Sequence, residues 1–257
     1  MDSKKTVYLF MMLFVFGCSK NNNSAILMFE PIYNGQIIEC NNKINHQNKA
    51  WLVNQLQFFI SQVQLQNRQG NWQNMALAKT TKQTENTALL GSTCQGAEFE
   101  HWQLNFKDDF SLADFQAVRF SLGVPFEQNH LNPLQQPSPL NDSSMFWIWQ
   151  TGHKFLRLEM SSGADDWLFH LGSTGCKSQS VMRAPNDACL YPNVFQFQLP
   201  LGKSNTIAFD LSKLIGELPL AMATSCQSEH DNPACRPLFT RLIETGKQAV
   251  FRVSIDD

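Results

Sequence analysis

The sequence predicts an all-β fold: an antiparallel, β-sandwich-like single domain with long loops and disulfides. Three observations carry that expectation. Two-residue alternation recurs along the chain, as in Gln62-Val63-Gln64-Leu65-Gln66, where the aliphatic side chains point to one face and the amides to the other. Clusters of Gly, Asn, Asp, Ser and Pro punctuate the alternation at short intervals, while long amphipathic helical periods are scarce. At 257 residues and 43% hydrophobic content, the chain can bury a full core as one domain, and neither a repeat nor a linker divides it.

Taken in order, Ala25 to Phe29 reads as a first strand. Leu56 to Gln66 is a long one, Asn67 to Asn71 its turn, and Trp72 to Ala78 a returning hairpin partner. Phe115 to Val124 is rich in aromatic and β-branched residues. Met145 to Gln150, Phe155 to Met160 and Trp167 to Leu171 read as consecutive strands, with Gly152 and Ser161-Ser162-Gly163 at the turns. Phe195 to Leu199, Thr206 to Leu211 and Ala249 to Ile255 complete the set. Helix is expected only in short pieces, Asp210 to Ile215 and Pro237 to Glu244. Between two strong strands, Gln128 to Ser144 carries Pro133, Pro137 and Pro139, an ordered loop of a length that is often functional.

The first eighteen residues are a targeting segment. Lys4 and Lys5 precede an apolar run, Tyr8 to Phe16, that is too short to span a bilayer. Val15-Phe16-Gly17-Cys18 has the form of a lipobox, which makes Cys18 the lipidated first residue of the mature protein. Residues 19–24 are a polar tether and 25–257 the folded domain. Ser19, where an Asp would signal inner-membrane retention, places the lipid anchor in the outer membrane, on the periplasmic side of the cell envelope. The plainer alternative is cleavage near Gly17 and a soluble exported protein.

Export makes the remaining six cysteines a disulfide set, for which sequence alone permits fifteen pairings. Proximity favours Cys176–Cys189 and Cys226–Cys235, which leaves Cys40–Cys94. No Cys-x-x-Cys pair exists, so a zinc ribbon, a thioredoxin-type site and a c-type haem are disfavoured. Charged residues make up only 16% and the net charge is −2, which gives no footprint for nucleic acid or anionic lipid.

In a strand, Met145, Trp147 and Trp149 would form one row, with Phe146, Ile148 and Gln150 behind it. A thioether and two electron-rich indoles, with His130 and His170 reachable from neighbouring segments, suggest a redox-active or soft-metal site. The plainer reading is core, since aromatics and methionine fill sandwich interiors. The Asn129 amide is placed to orient His130. Gly172, Ser173 and Gly175 allow a tight turn into Cys176. His46, His101 and His230 have no motif around them and are expected at the surface. Asp108-Asp109 and Asp165-Asp166 lack the spaced oxygens of a calcium loop and read as solvated turns.

A set of spaced motifs then resembles a known family. Phe120-Ser-Leu-Gly-Val-Pro-Phe126 followed by Asn129-His130 and Pro139-Leu140 is one part of it. Met145-Phe-Trp-Ile-Trp-Gln-Thr-Gly152 with Lys154-Phe155, and Phe169-His-Leu-Gly-Ser-Thr-Gly-Cys176, are others. Cys189, Ser225-Cys226, Asn232 to Cys235 and the early Phe58-Phe59-Ile60-Ser61 complete a pattern that is similar to the MbnP-like proteins over essentially the whole mature chain. The resemblance implies an exported, β-rich, copper-associated protein that is not itself an enzyme. Its partner is a di-haem cytochrome c peroxidase-like protein that oxidises a tryptophan, Trp147 or Trp149, to kynurenine. Copper is then the cofactor, with His130, His170 and Met145 as metal ligands. His153 departs from the pattern, where a tyrosine is expected; it either adds a ligand or is a surface variant.

Chemistry gives this implication a reason. An indole offers an N–H donor and no free lone pair, so Trp147 and Trp149 as encoded cannot ligate a metal. Opening the indole to kynurenine creates an aromatic amine and a ketone that can. Two other classes compete. A surface lipoprotein could bind a carbohydrate or other ligand through the aromatic row. An enzyme is the weakest, because no Gly-x-Ser-x-Gly elbow, His-Glu-x-x-His helix or phosphate-binding glycine loop is present.

Overall fold

The computed structural model describes residues 25–254 other than 95–98, 149 and 203. Cys18, the targeting segment, the polar tether and Trp149 lie outside the described residues. In chain order the strands are β1 (Ile26–Tyr33), β2 (Gln36–Ile37), β3 (Lys43–His46), β4 (Lys49–Asn67), β5 (Trp72–Asn74), β6 (Thr87–Thr93) and β7 (Phe99–His101). They continue as β8 (Gln103–Asn105), β9 (Phe115–Leu122), β10 (Lys154–Ser161), β11 (Asp166–Gly172), β12 (Phe195–Pro200), β13 (Thr206–Asp210) and β14 (Phe251–Val253). Three short helices intervene: α1 (Phe126–Asn129), α2 (Leu211–Ile215) and α3 (Cys235–Leu242).

The longest alternating stretch of the sequence becomes the hub of the larger sheet. β4 carries β10 along residues 52–58 and β9 along residues 60–67, while β6 pairs with residues 55–61. Gln62 adopts φ 53° at the register break between Ser61 and Gln64, a bulge that bends β4 in mid-course. Gly91 allows β6 to approach it: a Cβ there would fall 2.1 Å from the Leu56 carbonyl oxygen. The smaller sheet runs β14-β13-β1-β2, with β8 also on β1. Its β1–β13 ladder is parallel; the other described ladders are antiparallel.

The two sheets close on an aromatic core. Phe29, Phe209 and Phe251 of the smaller sheet meet Phe58 and Phe120 of the larger, with ring centroids 5.0 Å apart for Phe58–Phe209 and 5.3 Å for Phe120–Phe251. All five are essentially solvent-free, so the hydrophobic driving force is concentrated between the layers. Disulfides form as Cys176–Cys189 and Cys226–Cys235, the two pairs that proximity favoured, and Cys40–Cys94, the pair that was left.

One expected strand is absent. Ser143–Met145 is a 3-10 turn, capped by the Asp142 carboxylate, which accepts from the Ser144 N–H at 2.9 Å. Phe146 then makes a single bridge to His153, and Ile148 turns the chain back at Gly152. β10 already has β4 on one edge and β11 on the other, so no edge remains for another strand. Met145 is accordingly in the core and does not share an extended row with Trp147. β6 went unread in the sequence because Ala88-Leu89-Leu90 is buried on both faces and shows no alternation. His46 is also not a surface residue: it is buried, with Nδ1 3.0 Å from the Tyr33 hydroxyl and Nε2 2.7 Å from the Leu218 carbonyl. His101 is half-buried, whereas His230 is exposed and stacked on Tyr191.

β9 and β10 lie end to end on one edge of β4, Leu122 opposite Ile60 and Leu156 opposite Phe58. Residues 123–153 thus leave and rejoin the sheet at neighbouring points. That excursion carries the candidate site.

Candidate functional site

Asn129 clamps the two ends of the excursion together. It ends α1 and is buried. Its Oδ1 accepts the His153 backbone N–H at 2.8 Å, and its Nδ2 donates to the Thr151 carbonyl at 3.2 Å. The same Nδ2 stands 3.2 Å from His130 Nε2, so the amide sets the orientation of that ring. Gly152, at φ +79°, gives Asn129 its room: a Cβ there would lie 2.3 Å from Asn129 Oδ1.

His153 belongs to this clamp. It is buried, its Nε2 donates to the Leu140 carbonyl at 2.8 Å, and its Nδ1 lies 3.1 Å from Asn129 Oδ1. Phe59 and Phe146 flank it edge-on. Burial pushes its pKa down. The residue is not at the surface, and both ring nitrogens face protein oxygens, which leaves neither for a metal.

Trp147 projects from the returning arm of the excursion, its backbone N–H bonded to the Gly152 carbonyl at 3.1 Å. The indole is half-buried over the backbone of Gly172 and lies 6.4 Å, centroid to centroid, from the His170 ring. Beside it opens a largely apolar cavity of about 290 Å³ lined by Leu131, Leu134, Phe146, Ile148 and Met182 among others. Met145, two residues earlier, is wholly inside the core.

The alternation of β11 fixes His170. Trp167, Phe169 and Leu171 are buried in the core, which turns His170 to the other face of the β10–β11 hairpin beside Arg157 and Glu159. His170 Nε2 is 2.9 Å from Glu159 Oε1, and Arg157 Nε donates to the same oxygen at 2.6 Å. Arg157 also reaches the Ser144 carbonyl at 2.9 Å, tying the hairpin to the excursion. A carboxylate only accepts, so Nε2 carries the proton and Nδ1 keeps its lone pair. Nδ1 is buried and has no hydrogen-bond partner. Burial pushes the His170 pKa down against the pull of Glu159. The hydrogen bond from His170, together with Arg157, holds the Glu159 carboxyl at about 2. Lys154 donates to the Phe146 carbonyl at 2.8 Å, and burial beside Arg157 lowers it to about 8.

The fold therefore brings Trp147 and His170 together, and Asn129 and His130. His130 Nε2 lies 3.5 Å from Cys189 Sγ, with Phe126 against the ring. Arg157 and Glu159 were missed in the sequence, and Lys154 was read there only as part of a motif. Their signal was the outward parity of Arg157 and Glu159 on the strand that the Ser161 turn folds back beside His170.

His170 is the residue of this site that could hold a metal ion. A neutral imidazole whose one nitrogen is held by a carboxylate and whose other is buried and unbonded is the usual form of a metal-binding histidine. The encoded Trp147 adds no ligand atom.

No curated protein matches the sequence. The solved structure of MbnP from Methylosinus trichosporium is similar in fold, with a TM-score of 0.72 at 21% identity over 84% of this chain and 87% of that one. The family model MbnP matches residues 22–228. The chain belongs to the MbnP family.

Proposed function

We propose that the protein is an exported copper-binding protein whose Trp147 is the precursor of a ligand. The observation that carries this reading is the His170 Nδ1 atom, buried and unbonded on a ring whose centroid lies 6.4 Å from that of the Trp147 indole. A di-haem cytochrome c peroxidase-like partner would accept four electrons as two oxygens from water add across the indole C2–C3 bond, which breaks, and hydrolysis would then release C2 as formate to leave kynurenine. The new aromatic amine and ketone then complement His170, and His130 at the far side of Asn129 is the second histidine offered. Bound copper would supply a redox-active, nitrogen-preferring centre.

The chain's own residues do the positioning. Glu159 fixes the His170 tautomer and Arg157 fixes Glu159. Asn129 and His153 hold the arm that carries Trp147, and Gly172 gives the ring its seat. Met145 takes no part, because its side chain lies in the core. In this reading the protein is substrate and then carrier, not catalyst, and it acts at the periplasmic face of the outer membrane on the Cys18 anchor.

Copper titration tests the reading. Protein co-expressed with its haem partner is expected to bind copper, and His170→Ala to weaken that binding by about tenfold or more. Equal affinity in His170→Ala would remove His170 from the site.

A further inference from the structure

His130, Cys176 and Cys189 form the one group of three potential metal-ligating side chains of this kind among the described residues, their ligand atoms all within 4.8 Å of one another and all three buried. As a disulfide, the two sulfurs are not ligands. We infer that reduction of Cys176–Cys189 converts this cluster into a Cys2His site for a thiophilic cation, Zn(II) or Cu(I). The inference requires neither tryptophan oxidation nor His170.

The geometry fits that ligand set. With metal–sulfur and metal–nitrogen bonds near 2.3 and 2.0–2.1 Å, a tetrahedral centre separates a sulfur and a nitrogen ligand by about 3.6 Å. His130 Nε2 already lies 3.5 Å from Cys189 Sγ. The sulfurs would need to move to about 3.8 Å apart, a side-chain-scale motion once the bond is cut. A fourth position would remain for water or another donor.

Opening the bond leaves the scaffold standing. Residues 177–188, which the disulfide closes, are mostly exposed and contribute little to the core. His130 is held independently of the disulfide by its backbone N–H to the Phe126 carbonyl at 3.4 Å and by the ring of Phe126, and a cation at Nε2 would take the place of the Asn129 amide there. On the other side, Thr174 stays paired with Tyr191, and Ser173 Oγ donates to the Pro192 carbonyl at 3.0 Å. The two other disulfides have no such histidine beside them among the described residues.

The step balances with a dithiol reductant, such as a thioredoxin-class exported protein. Two electrons and two protons pass to the disulfide, giving two thiols, and the dithiol leaves as its own disulfide. Cation binding then releases the two thiol protons, since thiolates are the ligands. The site would thus load in reduced protein and release its cation when a partner disulfide of the same thioredoxin class takes two electrons from the thiolates, re-forming Cys176–Cys189 and leaving as its dithiol.

The test is anaerobic titration of the full chain, purified without copper, with Co(II) as a spectroscopic probe. After reduction by a phosphine, thiolate-to-cobalt charge-transfer absorption is expected to saturate at one equivalent; unreduced protein should show none. The double variant Cys176→Ser/Cys189→Ser should lose the absorption even when reduced. His130→Ala and His130→Gln, each checked for native circular dichroism, should weaken binding by about tenfold or more, whereas His170→Ala should bind as wild type. No thiolate absorption in the reduced wild type overturns the proposal. So does absorption that survives in the double serine variant, or wild-type affinity in both His130 variants. Failure of copper binding by the haem-matured protein would instead strike only the function proposed above.

Discussion

The Trp147 indole rests on Gly172 so closely that a Cβ at position 172 would lie 2.6 Å from Trp147 Cζ3. Gly172 ends the strand that carries His170, and the missing side chain lets the indole settle beside that histidine. The same hypothetical Cβ would lie 2.8 Å from the His153 carbonyl oxygen, so backbone and ring block it together.

Gly172→Ala should therefore expel the indole. Overpacking of this kind destabilises by about 1–3 kcal/mol, measurable by urea unfolding. Trp147 emission, taken as the difference from Trp147→Phe, should shift to the red as the ring enters water. A variant with wild-type stability and unshifted Trp147 emission would show that the ring does not need this seat.

Asn129→Ala should loosen the whole excursion. It removes the acceptor for the buried His153 N–H and the donor to the Thr151 carbonyl. Leaving a buried donor unsatisfied costs about 1–3 kcal/mol. Hydrogen exchange should speed at His153 while the β4 amides stay protected, because the clamp lies outside the main core.

Glu159 gives the acid limb of the stability curve a marker. Its folded pKa, about 2, lies below the ordinary 4.5, so the unfolded chain binds the proton more readily. Its contribution is fully present above about pH 4.5 and is lost as pH falls toward 2. Glu159→Gln should flatten unfolding free energy across that window and leave the remaining acid dependence intact. An unchanged slope would mean that His170 and Arg157 do not favour the ionised form.

The Cys40–Cys94 bond closes a 54-residue span that contains the whole of β4. On the chain-entropy model Cys40→Ser/Cys94→Ser should cost about 4 kcal/mol, more than Cys176→Ser/Cys189→Ser, whose loop spans 13. Equal losses in chemical denaturation would point to native contacts at 176–189 that the exposed loop does not reveal.

Much of the fold was legible because half-buried strands alternate. Phe115 to Val124, Phe155 to Met160 and Trp167 to Leu171 match strands to within two residues at each end, and Leu56 to Gln66 is the C-terminal part of the longer β4. The Met145 to Gln150 stretch misled for a tertiary reason: its alternation is genuine, but both edges of β10 were already taken. β6 was hidden by burial on both faces. At the site, His170 and Trp147 were visible as residue types. Their meeting depends on Gly172, and the His170–Glu159 bond on the β10–β11 register, neither of which composition encodes. His153 was misjudged because its burial comes from Leu140 and Asn129, distant in sequence.

Peptide mass spectrometry of protein co-expressed with a di-haem peroxidase-like protein tests whether Trp147 is the precursor of a ligand. The fragment carrying Trp147 is expected to bear the mass change of an indole opened to kynurenine, localised to that residue, and copper retention should rise with its yield. Copper retained at full affinity by protein with unmodified Trp147, or oxidation confined to Trp149, would contradict the account.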